Sequence, residues 1–100
     1  MEPKQNITIN VNYRDLPKHF KSRDEKVKKI VLSYSSETKL KAVLNWPVRM
    51  KRRSPPIMTK ELAELSGIKA PRISEFLNLR VEPTEEQFLL IDGILHTLGV

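Results

Sequence analysis

Cysteine is absent from the 100 residues, which excludes a disulfide framework and a thiolate metal site and suits a reducing compartment. Also missing is any apolar run near the ~20 residues that a bilayer span requires. The opening stretch MEPKQNITINVN lacks the apolar region of a secretory signal, so the expectation is a soluble cytoplasmic protein with no membrane partner. Histidine occurs only as His19 and His96, far apart and without local metal-ligand company. There is no Gly-rich phosphate loop and no histidine–carboxylate cluster. The sequence therefore predicts no catalytic site, no metal and no cofactor.

What is present is a basic chain of modest apolar content. At 39% hydrophobic residues it suits one small domain with appendages. A core of that size is marginal unless the chain pairs, so a homodimer is expected. The net charge of +6 is unevenly spread. Residues 1–35 hold eight Lys/Arg against four Asp/Glu, residues 36–58 six against one, and residues 59–100 four against seven. Attraction to phosphate is then expected largely from the middle segment, through Lys39, Lys41, Arg49, Lys51, Arg52 and Arg53.

Ile7, Ile9, Val11 and Tyr13 alternate with Asn6, Thr8, Asn10 and Asn12, the period of a half-buried strand over about residues 6–14. A lone strand leaves its backbone groups unpaired. The one fair mate within the chain is Ile30 to Tyr34; otherwise the mate is a second copy or another protein. Asp15-Leu16-Pro17 reads as a turn. Ser22-Arg23-Asp24-Glu25 fits a capping box, and Val27, Ile30, Val31 and Tyr34 follow at helical spacing. This favours a helix over about 23–34, while the alternation of Ile30, Leu32 and Tyr34 leaves a strand open.

Ser35 and Ser36 look like the cap of a further helix with Leu40, Val43 and Leu44 inward, kinked or restarted at Pro47. Trp46 is expected to be buried beneath it. Ser54-Pro55-Pro56 then leads to Thr59, the expected cap of the next helix. The last helix opens at Pro83 with a Thr84/Gln87 capping box and stops near Gly99. Phe88, Ile91, Leu95 and Leu98 form its core stripe, and Leu89, Leu90 and Ile94 widen its apolar surface into a dimer patch.

Between these helices lies TKELAELSGIKAPRISEFLN, residues 59–78. Two short helices cross tightly when the contact residue is small and the turn can adopt a left-handed backbone. Ala63 meets the first need and Gly67 the second. Ile68 plugs the turn, and Ile73, Phe76 and Leu77 stripe the inner face of the second helix. Pro71, Ser74, Glu75 and Asn78 are left outward, on a face that fits a DNA major groove.

The spacing of Ala63, Gly67 and Ile73, continued by Asn78-Leu79-Arg80, Pro83 and the segment Thr84 to Val100, resembles the lambda-repressor-like (Xre/Cro) helix-turn-helix family. The string Pro71-Arg72-Ile73-Ser74 is similar to a branch rich in HigA-type antitoxins, which bind their own promoters. The resemblance implies a mainly α fold, with a four-helix DNA-binding domain over residues 36–100 that lacks the family's fifth helix. An amino-terminal arm, residues 1–35, would hold the strand and the helix and serve dimerisation or partner binding.

The resemblance also implies base-edge contact at Lys69, Ala70, Pro71, Arg72, Ser74 and Glu75. Phosphate contact is implied at Thr59, Lys60, Asn78 and Arg80, with Arg52 and Arg53 of the basic run beside them. Ala70 and Pro71 offer apolar contact to a thymine methyl, Glu75 accepts from cytosine N4, and Arg72 forks onto guanine if it turns into the groove. The plain alternative is that Pro71 only starts the helix and Arg72 pairs with Glu75 on a solvated face. Leu79 stands where the family usually has glycine, and a side chain there opposes the close backbone approach that glycine permits.

Two functions are expected. The first is a sequence-specific regulator, bacterial or phage-encoded, that represses by binding a pseudo-palindromic operator in double-stranded DNA as a dimer. The alternative is an antitoxin or adaptor that engages a toxin-like protein through residues 6–14 by strand addition and autoregulates its own promoter.

Overall fold

A computed structural model describes residues 3–10 and 29–100. In chain order these form strands β1 (Gln5–Asn10) and β2 (Lys29–Tyr34) and helices α1 (Glu37–Met50), α2 (Thr59–Ser66), α3 (Ala70–Leu77) and α4 (Glu85–Thr97). The fold is mainly helical with one small sheet. No helix among the described residues is long and apolar enough to cross a membrane.

β1 and β2 pair antiparallel, with Ile7 opposite Leu32 and Ile9 opposite Ile30. The mate that the alternating segment requires is thus supplied within the chain. Residues 29–34 are strand and not the end of the helix expected over 23–34. Residues 23–28, the strand's expected extension over 11–14, the turn at 15–17 and His19 lie outside the described residues. The physical reason is long-range. Ile30, Leu32 and Tyr34 share a sheet face with Ile7 and Ile9, and pairing leaves Ile7, Ile9 and Tyr34 almost wholly buried. A helix at 29–34 would strip β1 of that partner, so tertiary pairing decides between two local periods. Burial, and after it the charge of Glu82, push the Tyr34 phenol well above its ordinary value. Its hydroxyl has no hydrogen-bond partner among the described residues.

Ser36 caps α1, its hydroxyl accepting from the Lys39 N–H at 3.4 Å. The helix continues through Pro47 to Met50 and does not restart there. Trp46 is fully buried, stacks on Phe88 with centroids 5.6 Å apart, and donates its Nε1–H to Asp92 at 3.1 Å. α4 begins with a reciprocal capping box: the Gln87 N–H donates to Thr84 Oγ1 at 3.2 Å and the Thr84 N–H to Gln87 Oε1 at 3.0 Å. It buries Ile91 and Leu95 and exposes Leu89 and Leu90, while Ile94 packs partly buried against the core. A single apolar cluster joins Ile7, Ile9 and Tyr34 of the sheet to the buried residues of all four helices.

Candidate nucleic-acid interface

α2 starts at Thr59, but the residue in the extended cap position is Met58 and no side chain caps the helix. Thr59 is therefore the first helical residue and not the expected cap. The entry is fixed by other means. Ile57 is buried and donates its N–H to Met50 O at 2.9 Å. Arg53 closes the loop behind it, donating Nε–H to Pro55 O at 3.1 Å and gripping both carboxylate oxygens of Glu61 in the first turn of α2.

Gly67 ends α2 at φ 77° and donates its N–H to Ala63 O at 2.9 Å. A Cβ built there would meet nothing within 4 Å, so the glycine is needed for its left-handed angle and not for space. Across the turn, Leu62, Ile73 and Phe76 are fully buried, and Ala63, Ile68 and Leu77 pack against them partly exposed. Burial of each large side chain contributes roughly 1.5–3 kcal/mol. This locks the inner face of α3.

The far end of α3 answers the question raised by Leu79. Its N–H donates to Phe76 O at 3.0 Å and the Arg80 N–H to Glu75 O at 2.9 Å, a Schellman closure with Leu79 at φ 59°. Leu79 thus adopts the angle that glycine ordinarily supplies at this point. The left-handed backbone costs roughly 1–2 kcal/mol. Leu79 is only 7% exposed, and burial of its side chain, roughly 1.5–3 kcal/mol, offsets that cost.

At about 100° per residue, the buried Ile73, Phe76 and Leu77 set Pro71, Glu75 and Asn78 opposite the core, with Ser74 and Arg72 on the flanks. Lys69, Pro71, Arg72 and Ser74 are exposed, Glu75 and Asn78 are half-buried, and Ala70, at the helix start, is partly buried. The structure brings the six expected base-contact residues onto one short helix and its entrance. Asn78 closes that helix, its Nδ2 donating to Ser74 O at 2.8 Å and lying 3.3 Å from Ser74 Oγ. Arg72 Nη1 lies 3.5 Å from Glu75 Oε1. Both side chains are about half exposed, so the pair contributes at most about 0.5 kcal/mol.

The expected phosphate contacts divide into two groups. Lys60 and Arg80 are exposed at the start of α2 and just past the end of α3, and Arg52 is exposed beyond the C-terminus of α1. Arg53, by contrast, is held by Glu61, and Thr59 is partly buried. Half of the six cations of the middle basic segment, Lys39, Arg49 and Arg53, are turned inward in this way. Lys39 Nζ lies 3.0 Å from Glu82, with both side chains nearly buried. Arg49 Nη1 lies 2.6 Å from Asp92 and its Nε–H donates to Val100 O at 3.0 Å. Lys41 pairs with Glu37 at the surface, 3.2 Å away. Of the six cations expected to draw phosphate, only Lys51 and Arg52 have no ion-pair partner among the described residues. The cause is the acidic half of the chain, whose Glu61, Glu82 and Asp92 need counter-charges that the middle segment supplies.

Burial by itself would raise the Glu82 carboxyl, but hydrogen bonds from the Ser35 hydroxyl, Lys39 and the Ser35 N–H bring it below the usual carboxylate range. The hydrogen bond from Arg53 likewise lowers Glu61. Neither Glu82 nor Asp92 has a local signature, since their hydrogen-bond partners lie more than forty residues away in sequence. The charge asymmetry between segments was the one clue. Among the described residues no group of three or more His, Cys, Asp or Glu is arranged to hold a metal.

Compared with known proteins, the chain matches no family model, no curated protein and no solved structure.

Proposed function

We propose that the chain is a sequence-specific DNA-binding regulator in which α2, the Gly67 turn and α3 act as a helix-turn-helix of the lambda-repressor-like kind. α3 lies in the major groove. The observation that carries this reading is the asymmetry of α3: Ile73 and Phe76 are fully buried on one side, while Lys69, Pro71, Arg72 and Ser74 stand exposed around the other. Groove reading needs a short helix held rigidly by its inner face with polar groups on its outer one. Lys60 in the first turn of α2, Lys69 at the entrance of α3 and Arg80 just past its end are exposed cations suited to phosphate. In this account each copy takes one half of a pseudo-palindromic operator, the exposed Leu89 and Leu90 of α4 contribute the dimer contact, and repression in the cytoplasm follows from occupying promoter DNA.

Fluorescence anisotropy on a selected duplex tests the proposal. Affinity falls on a log–log plot against salt with a slope near −0.9 for each phosphate neutralised, and Ser74→Ala changes the ranking of sequences. Weak binding that is indifferent to both salt and sequence contradicts it. A protein-binding adaptor is the second reading, and it draws on the two-stranded sheet, in which each strand has an outer edge unpaired by any other strand among the described residues. Capture of a defined toxin-like partner that survives Arg72→Ala, in a protein with no sequence preference on DNA, favours it.

A further inference from the structure

The DNA reading leaves Arg72 in an awkward place, and the ion pair on α3 resolves it. By the helical repeat of about 100° per residue, Glu75 projects about 30° from the direction opposite the buried stripe, whereas Arg72 projects about 90° away, along the side of the helix. An arginine in that position has no intrinsic reason to enter a groove centred on the outer face. Glu75 gives it one, because its Oε1 stands 3.5 Å from Arg72 Nη1. The carboxylate draws the guanidinium round toward the outer face.

The atom engaged matters as much as the direction. Nη1 is the guanidinium nitrogen cis to Cδ. An interaction there leaves the opposite edge, Nε–H with Nη2–H, as two parallel donors. Neither donor has a hydrogen-bond partner among the described residues, and the Arg72 side chain is 51% exposed. Two parallel donors match guanine O6 and N7, the commonest specific contact in the major groove. Adenine offers an acceptor beside a donor on the same edge, so the same fork rejects it.

We propose that Glu75 is a positioning residue that holds Arg72 over the groove with its Nε/Nη2 edge free, making α3 a reader of guanine. The inference rests on the DNA reading above and assigns its base class. Ser74 and Asn78 do not compete for the arginine, since they are joined to each other along the opposite flank of the helix.

The test is a panel of duplexes in which each base pair of the best-bound half-site is changed in turn, titrated at fixed salt. The proteins are wild type, Arg72→Ala, Arg72→Lys, Glu75→Ala, Glu75→Gln and the Arg72→Ala/Glu75→Ala double variant. Melting is recorded for each, and no change is expected because both side chains are at the surface. Wild type should prefer guanine at one position by about tenfold or more, and 7-deazaguanine there should remove most of that preference. Arg72→Ala and Arg72→Lys should abolish it. Glu75→Ala should reduce the preference about twofold at the same position, as the modest worth of a half-exposed pair implies, Glu75→Gln should restore part of it, and the double variant should be no worse than Arg72→Ala. If Arg72→Ala keeps the guanine preference, or if Glu75→Ala relaxes a different base pair, the positioning role is overturned while the DNA reading stands. Absence of any sequence preference in the wild type overturns both.

Discussion

Lys39, Arg49 and Arg53 share their chemistry with Lys60, Lys69, Arg72 and Arg80, yet the two sets are used in opposite ways. Each member of the first set grips a carboxylate from another part of the chain: Glu82, Asp92 and Glu61 respectively. Those pairs tie α1 and the loop after it to the acidic half that carries α2, α3 and α4. The second set stands exposed on α2, α3 and the residues flanking α3, and its only ion pair among the described residues is the half-exposed one between Arg72 and Glu75. Burial separates the two. A cation taken from water must keep its partner, while one left in water can exchange its partner for a phosphate or a base edge at little cost. Net charge alone does not distinguish the paired cations of α1 and its following loop from the exposed ones.

The sharpest way to break the comparison is Glu82→Ala. Lys39 would be left nearly buried without its carboxylate, and urea denaturation should show a loss of about 3 kcal/mol, with the base preference of the folded protein unchanged. The same pair sets an acid limit. The Glu82 carboxyl is lowered in the folded state, so its contribution is complete above the ordinary glutamate value of about 4.3 and is lost as pH falls below it through the lowered value. Wild-type stability should decline over that window more steeply than that of Glu82→Gln.

Asp92→Ala should cost less, about 2 kcal/mol, because it strips both the Trp46 N–H and Arg49 but Asp92 is itself 39% exposed. Leu79 offers a finer test of how α3 ends. Leu79→Gly relieves the left-handed angle but loses the burial, for a net loss of about 1 kcal/mol, whereas Leu79→Ala keeps the strain as well and should lose about 2 kcal/mol or more. Thermal melting should rank the variants in that order. The smallest effect on stability belongs to the outer set: Lys60→Ala and Arg80→Ala should stay within about 0.5 kcal/mol of wild type. Each should nevertheless reduce the salt slope of DNA binding by about one.

The elements legible in the sequence are those whose causes are local. Gly67 at its left-handed angle, the Thr84/Gln87 box, the Ser36 cap and the inward stripe of Ile73 and Phe76 each depend on residues within a few positions of one another, and each is found where the spacing places it. β2 was not decided locally, because Ile30 and Tyr34 fit a helical period and, with Leu32, a strand period equally well; only the face shared with Ile7 and Ile9 chooses. Leu79 was conspicuous as a missing glycine, but its compensation by burial is a property of the packed core. At the candidate interface the outward residues of α3 were readable from the helical repeat. The capture of Arg53, Arg49 and Lys39 was not, since it joins groups that meet only after the helices pack.

The central claim is that the outer face of α3 reads bases, and selection from a random duplex library tests it most directly. Wild type should enrich inverted half-sites centred about one helical turn apart, roughly 10 base pairs. The Arg72→Ala/Ser74→Ala/Glu75→Ala variant, with unchanged melting, should still bind in low salt but enrich nothing. Enrichment of the same motif by both proteins, or of none by the wild type, would contradict the account.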